Sequence, residues 1–226
     1  MNYDWQFSRL LPFLKAFESG MLTTIWLFVV ILLLGTITGV LIGLLLRSKF
    51  LYSIFLIPMD IIRAVPPVVL ILFAYYALTY QVIGITLDVF WTCVAALSIN
   101  LAAFVADLVR SASESVPRGD IEAAQVLGFS QWKTFRFITF PLILRTLAAP
   151  MLMLYIGILK ATSLGSVIGV REVVYSGQVV IAANARSLET WVVVSAIYVV
   201  IVLPLSYAAR KVERWARKGE PRYLSL

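Results

Sequence analysis

The sequence predicts an all-α, polytopic membrane protein with five transmembrane helices, forming one domain over 1–226. Three observations carry that expectation. Apolar residues make up 61% of the 226 and charged residues 14%, a balance too greasy for a soluble domain. The apolar residues gather into long runs, and a helix of about 20 residues crosses a bilayer. The basic residues collect beside alternate runs, as the positive-inside bias requires.

The first twenty residues mix Asp4, Arg9, Lys15 and Glu18 with apolar side chains. The run that follows exceeds the ~7–15 residues of a signal-peptide core, so the first span is expected to be retained. That span covers about 21–46. Gly35, Gly39 and Gly43 recur every four residues within it, which aligns them on one helix face where a second helix can approach closely. Arg47 and Lys49 mark its water-facing end.

The second span, about 52–80, carries Pro58, Pro66 and Pro67. These prolines are expected to break it, with a kink just after Arg63, because proline removes a backbone donor and clashes with the preceding turn. Beside such a kink Arg63 is either a snorkelling end residue or part of a gate. Gln81 to Asp88 reads as a short loop. The third span starts near Val89 and stays apolar to about Val105. Inside it Asn100 either bonds to a neighbouring helix or lines a pathway. Asp107, Arg110, Ser111 and Glu114 then form one polar stripe at helical spacing.

The connection up to Pro141 is unusually long and polar. Pro117, Gly119 and Asp120 signal a helix start, with Asp120 as N-cap and Glu122 in the first turn. Gly128 suits the left-handed position that ends a helix. Ser130 can cap a second short helix bearing Trp132, Phe135 and Arg136, and Pro141 stands near the start of the next span. That fourth span covers about 142–159, followed by Lys160, Ala161, Thr162, Ser163 and Leu164. A glycine-interrupted stretch, 165–188, is expected to hold a short helix and loops. The fifth span runs over about 190–209, and the tail 210–222 is basic.

Five spans put the termini on opposite sides. With the N-terminus outside, thirteen basic residues face the cytoplasm and four (Arg9, Lys15, Arg171 and Arg186) face outward. The Glu122 connection is therefore expected to be cytoplasmic. In this setting the excess of 19 basic over 12 acidic residues fits anchoring at membrane lipid and not nucleic-acid binding. With no histidine and one cysteine, Cys93, the usual Ser/His and Cys/His catalytic sets, His-based metal sites and intrachain disulfides are excluded. No phosphate-binding loop, nucleophile elbow or zinc-protease motif occurs. The chain offers a membrane pathway and a docking module, with energy arriving from another protein.

The segment Glu122-Ala123-Ala124-x3-Gly128-x9-Ile138-x-Phe140-Pro141 resembles the cytoplasmic loop of permease subunits of binding-protein-dependent ABC importers. Arg63 to Pro67, Ala103 to Arg110, Val116 to Asp120 and Leu159 to Leu164 are similar to motifs of the polar amino-acid branch (histidine, glutamate, glutamine, arginine, opine). The resemblance covers about 20–215. It implies a type I importer permease fold and a multi-pass location in the bacterial inner membrane. It also implies a non-catalytic subunit without a cofactor of its own. The implied partners are a second permease subunit (identical or paralogous), an ATPase dimer that carries ATP and Mg, and a periplasmic or extracellular substrate-binding protein.

By the same resemblance Glu122, Ala123, Ala124, Gly128, Phe129, Trp132, Phe135 and Arg136 are the ATPase-docking residues. Arg63, Pro66, Asn100, Lys160, Thr162 and Ser163 are candidates for a gate or substrate pathway. The chain departs from the family pattern at Phe140 (usually Leu), Asp120 (Gln), Leu142 (Gln) and Ala161 (Asp), and 69–72 lacks the usual Gln. These departures leave the carried solute open. The alternative from another class, an autonomous channel or secondary transporter, needs carboxylates within the spans, where only Asp60 and the end residue Asp107 stand.

Overall fold

The structure, a computed structural model, describes residues 3–46, 48–77 and 88–217. Over these it is helical, with four helices long and apolar enough to cross a membrane and a fifth candidate formed by a sharply bent pair. Arg47, 78–87 and the basic residues Lys218 and Arg222 lie outside the described residues.

A 3-10 segment, Phe7–Phe13, feeds directly into α1 (Leu14–Leu45). The first span is thus longer at its start than the hydropathic run. Its buried face steps through Phe17, Gly20, Thr24, Leu27, Ile31, Gly35, Gly39 and Gly43, the three- and four-residue spacing of one helical stripe. The glycines bring α1 against the central helix α4 (Val89–Glu114). A Cβ at Gly39 would stand 2.6 Å from Val105 Cβ and 2.8 Å from the Ala102 carbonyl oxygen. Only a bare backbone fits there, so the close approach expected from the four-residue repeat is realised. α4 is the most enclosed span; Leu97, Leu101 and Val105 sit in the main core with Leu27 and Ile31 of α1. Asp88 caps α4, its carboxylate accepting from the Phe90 amide at 2.8 Å.

The second span is two helices, α2 (Lys49–Ala64) and α3 (Pro67–Ala77), bent by 104°. Pro58 does not break it: α2 runs through that residue. The break falls at Val65, which is extended (φ −75°, ψ 128°) because the ring of Pro66 excludes the helical conformation from the residue before it. Pro67 opens α3, where a missing donor costs nothing.

The connection holds α5 (Arg118–Val126) and α6 (Gln131–Thr134). Asp120 is not the N-cap. Pro117 holds that position without a side-chain bond, and the Asp120 amide already bonds the Pro117 carbonyl, which places Asp120 in the first turn. The second short helix is also not separate from the fourth span. A π-helical turn, Phe135–Thr139, joins α6 to α7 (Phe140–Ala161). The Phe140 amide bonds back five residues to Phe135, a widened turn placed just where Pro141 has no donor of its own. The helix continues through a 3-10 segment, Thr162–Ile168, so Lys160 to Leu164 complete the rod instead of following it. Gly169, at φ 91°, ends it.

The mixed stretch contains α8 (Val173–Asn184), capped by the buried Glu172 carboxylate, which accepts from the Val174 and Tyr175 amides. α8 packs against α1 and against α9 (Ser187–Arg217). α9 extends well past the expected end of the fifth span, so Arg210, Lys211 and Arg214 belong to it. The N-terminal segment is strapped over its start. Glu189, fully buried, accepts from the Tyr3 hydroxyl at 2.6 Å and the Gln6 amide at 3.0 Å. Arg186 lies 3.6 Å from the same carboxylate. The hydrogen bond to the Glu189 carboxylate holds the Tyr3 phenol above its ordinary range.

Candidate functional site

Two regions gather the residues singled out in the sequence. One is the loop between α4 and α7. α5 ends in a complete Schellman motif: the Phe129 amide bonds the Ala124 carbonyl at 3.0 Å and the Gly128 amide bonds the Gln125 carbonyl at 2.9 Å. The geometry needs a left-handed residue, and Gly128 has φ 78°. The Glu-Ala-Ala-x3-Gly spacing is thereby explained locally. Ala124 supplies the carbonyl that accepts the Phe129 amide and is buried, while Glu122 and Ala123 are on the exposed side of the helix. Ser130 caps α6 through the Lys133 amide.

Beyond this turn the loop shows apolar side chains to the outside. Val126 and Leu127 are 88% and 76% exposed, and Trp132 is 70% exposed. Trp132 and Phe135 lie 5.9 Å apart, ring to ring, with Phe140 5.8 Å further on. Arg136 lies over the Phe137 ring at 5.8 Å. Val126 and Leu127 were not among the expected docking residues.

The second region lies where α2 breaks. Pro66 has no N–H, so the Ile62 carbonyl four residues earlier loses its helical partner. The Asn100 amide, itself only 4% exposed, donates to that carbonyl at 3.4 Å. Asn100 thus bonds to a neighbouring helix, one of its two readings. Arg63 neither snorkels freely nor stands alone: it pairs with Asp60 and, at 2.6 Å, with Asp107 of α4. Asp107 and Arg110 are 4.0 Å apart, Arg110 bonds Glu114 at 2.7 Å, and Arg110 sits 4.1 Å over the Tyr52 ring. Charges of alternating sign thus tie α2 to α4. Tyr52 carried no sequence signal, because its partner is 58 positions away.

Lys160 and Ser163 come together at a cavity of about 500 Å³ formed with α8 and α9, lined also by Val174, Trp191, Val194 and Tyr198. Thr162 does not reach it. It is fully buried, and its hydroxyl bonds the Leu159 carbonyl at 2.7 Å. The Tyr198 hydroxyl donates to Glu172 at 3.1 Å, fixing that ring against the cavity wall. Tyr198 and Trp191 were hidden within an apolar span. Cys93 is buried and unpaired, and no cluster of metal-ligating side chains occurs among the described residues.

Residues 31–218 match the family model described as the binding-protein-dependent transport system inner membrane component. The chain belongs to this family. It is 36% identical over 220 residues to the glutamine transport system permease protein GlnP of Escherichia coli K12, covering 95% of this chain and 98% of that protein. It is 29% identical over 222 residues to the arginine transport system permease protein ArtQ of Bacillus subtilis 168, covering 97% and 100%. Among solved structures it is similar to an amino acid ABC transporter crystallised with histidines (TM-score 0.84, 27% identity, 95% of this chain and 99% of that one). The permease is a multi-pass component of the inner membrane, the non-catalytic subunit of an ABC importer whose ATPase is a separate protein. The autonomous channel or secondary transporter is not favoured, and Asp60 and Asp107, the carboxylates it would need, are both engaged with Arg63.

Proposed function

We propose that this permease forms half of the pathway for a polar amino acid, with its N-terminus outside, its C-terminus cytoplasmic, and the loop 114–141 seated on an ATPase subunit. The second half is another permease subunit, identical or paralogous. An ATPase dimer holds ATP and Mg, and a periplasmic or extracellular binding protein delivers the solute. The observation that carries the docking role is the exposed apolar rim of Val126, Leu127, Phe129 and Trp132 around the rigid Gly128 turn. Apolar side chains presented together on a polar loop mark a protein-binding surface, and aromatic anchors supply most of the energy of such contacts. Glu122, Ala123 and Ala124 set the helix that carries the rim, and Phe135 and Arg136 flank it.

The stroke has a short route. α6, the π turn, α7 and the 3-10 segment form one rod of 38 residues, from Gln131 to Ile168. Tilting the loop when the ATPases close therefore moves Lys160 and Ser163 at the far end of the same rod, a rigid-body switch of access. Arg63, Pro66 and Asn100 hold the neighbouring break. Lys160, the one charged residue among the described residues that line the 500 Å³ cavity, is suited to a solute carboxylate. Glutamine is the first solute to test, given the GlnP likeness. The test is ATP-dependent uptake of radiolabelled glutamine by the complete importer. Glu122→Lys and Gly128→Pro are expected to abolish uptake while the protein still inserts. Normal uptake by both variants would sink the docking role.

A further inference from the structure

α2 is a lightly packed arm. It joins α3 through Val65, extended before Pro66. Along its length Met59 is the one buried side chain among the described residues, packed with Leu46 and Ala106, while Phe50 and Ile57 stand exposed. An element with so little buried surface is the kind that moves as a unit. Besides the Asn100 bond, what fixes its angle is charge. Asp107 of α4 offers one carboxylate oxygen to Arg63 Nη1 at 2.6 Å, two residues before Val65. Its other oxygen faces Arg110 Nη2 at 4.0 Å. Arg110 in turn holds Glu114, the last residue of α4, at 2.7 Å and covers the Tyr52 ring of α2 at 4.1 Å. Only 115–117 separate Glu114 from α5. One donor in this chain is unspent: Arg110 Nε is buried and has no hydrogen-bond partner. A buried donor left unpaired, with a carboxylate 4.0 Å from the same guanidinium, marks a contact that a second arrangement can complete.

We propose that Asp107 is a positioning residue of the transport cycle: it clasps the α2 arm to the last turns of α4, so that the bend at Val65 follows the movement of the loop. The rod from Gln131 carries the stroke to Lys160 and Ser163, and the clasp carries it to the Pro66 break. Its pairs are partly solvated, so they open and close at little cost, whereas fully buried pairs would lock the arm. This role rests on the loop being the ATPase dock.

The test uses the complete importer in lipid nanodiscs. Ile57→Cys and Phe73→Cys, both 67% exposed, carry nitroxide labels on the two arms of the bend, and the buried Cys93 stays unlabelled. Pulsed spin-resonance distances are measured without nucleotide and with ATP and vanadate, which trap the ATPases closed; singly labelled importers remove distances between subunits. In the native background the distance is expected to shift by a few ångströms on trapping. Asp107→Asn is expected to lose the shift while still co-purifying with the ATPase and keeping its unfolding temperature, and Asp107→Glu is expected to regain it. No shift in the native background, or an unchanged shift in Asp107→Asn, overturns the proposal. A shift absent from Asp107→Glu as well removes the role of the charge and also overturns it. So does release of the ATPase or a lowered unfolding temperature in Asp107→Asn, which would make the contact a structural one. Gly128→Pro in the labelled background separates the two readings. A shift that survives Gly128→Pro fails the dock, and one lost there but kept in Asp107→Asn fails the clasp alone.

Discussion

Asn100 replaces a donor that the backbone lacks, and this makes its role separable from simple burial. Asn100→Leu leaves the part-buried Ile62 carbonyl without this partner, and an unsatisfied acceptor costs up to about 1–3 kcal/mol. Pro66→Ala restores a backbone N–H four residues after Ile62 and makes the Asn100 amide redundant. Asn100→Leu is therefore expected to lower the unfolding temperature of the complex clearly in the native background and much less in the Pro66→Ala background. Equal losses in the two backgrounds would show that the 3.4 Å contact does not compensate the proline. Arg63 belongs to the same joint, but its bonds to Asp60 and Asp107 are partly solvated, and exposed pairs contribute only about 0–1 kcal/mol. Asn100 therefore dominates the stability of the break, while Arg63 sets which face of α2 meets α4.

Among the elements, α1 and α4 depend most on the absence of side chains. A Cβ at Gly35, Gly39 or Gly43 would come within 3 Å of α4 atoms, including the Ala102 and Ala106 carbonyl oxygens, which cannot rotate away. Gly39→Leu is expected to push the helices apart and destabilise the fold by about 1–3 kcal/mol or more. A Cβ at Gly119, on the loop, meets nothing within 4 Å, so Gly119→Ala is the matched control, expected to leave the unfolding temperature nearly unchanged. Similar Tm losses for the two would remove the close-packing account.

The glycine repeat was legible in the sequence because helical period alone places it on one face. The Gly128 cap was legible because one residue type fits its backbone. The continuity of α6 with α7 was not, since Pro141 reads as a helix start whether or not a π turn precedes it. The Pro66 break was legible but its hinge partner was not, as nothing local links Asn100 to a carbonyl 38 positions earlier. The cavity residues Trp191 and Tyr198 were illegible for a different reason: in a uniformly apolar span, the face toward a cavity and the face toward lipid have the same composition. The strap of Tyr3 and Gln6 over Glu189 joins residues more than 180 positions apart, beyond any periodic signal.

At the scale of the whole molecule, the mechanism requires that the loop and the N-terminal strap lie on opposite sides of the membrane, and the chain supplies a clean way to measure this. Cys93 is the single cysteine and is buried, so native background labelling by a membrane-impermeant maleimide is low. Trp132→Cys places a thiol at a site now 70% exposed on the loop, and Arg9→Cys places one at the exposed start of the first helix. With the permease expressed without its ATPase, so that the loop is uncovered, Arg9→Cys is expected to label in spheroplasts and Trp132→Cys to stay protected; in inside-out vesicles the pattern reverses. The thirteen-to-four distribution of basic residues sets this expectation, because translocating Lys and Arg against the insertion bias is what orients a multi-span chain. Labelling of both thiols from one side would mean that the bent pair α2 and α3 does not complete a crossing. The 104° bend would then belong to a re-entrant segment, the chain would have four crossings, and the rod from Gln131 to Ile168 could carry the ATPase stroke only if the strap shared its cytoplasmic side.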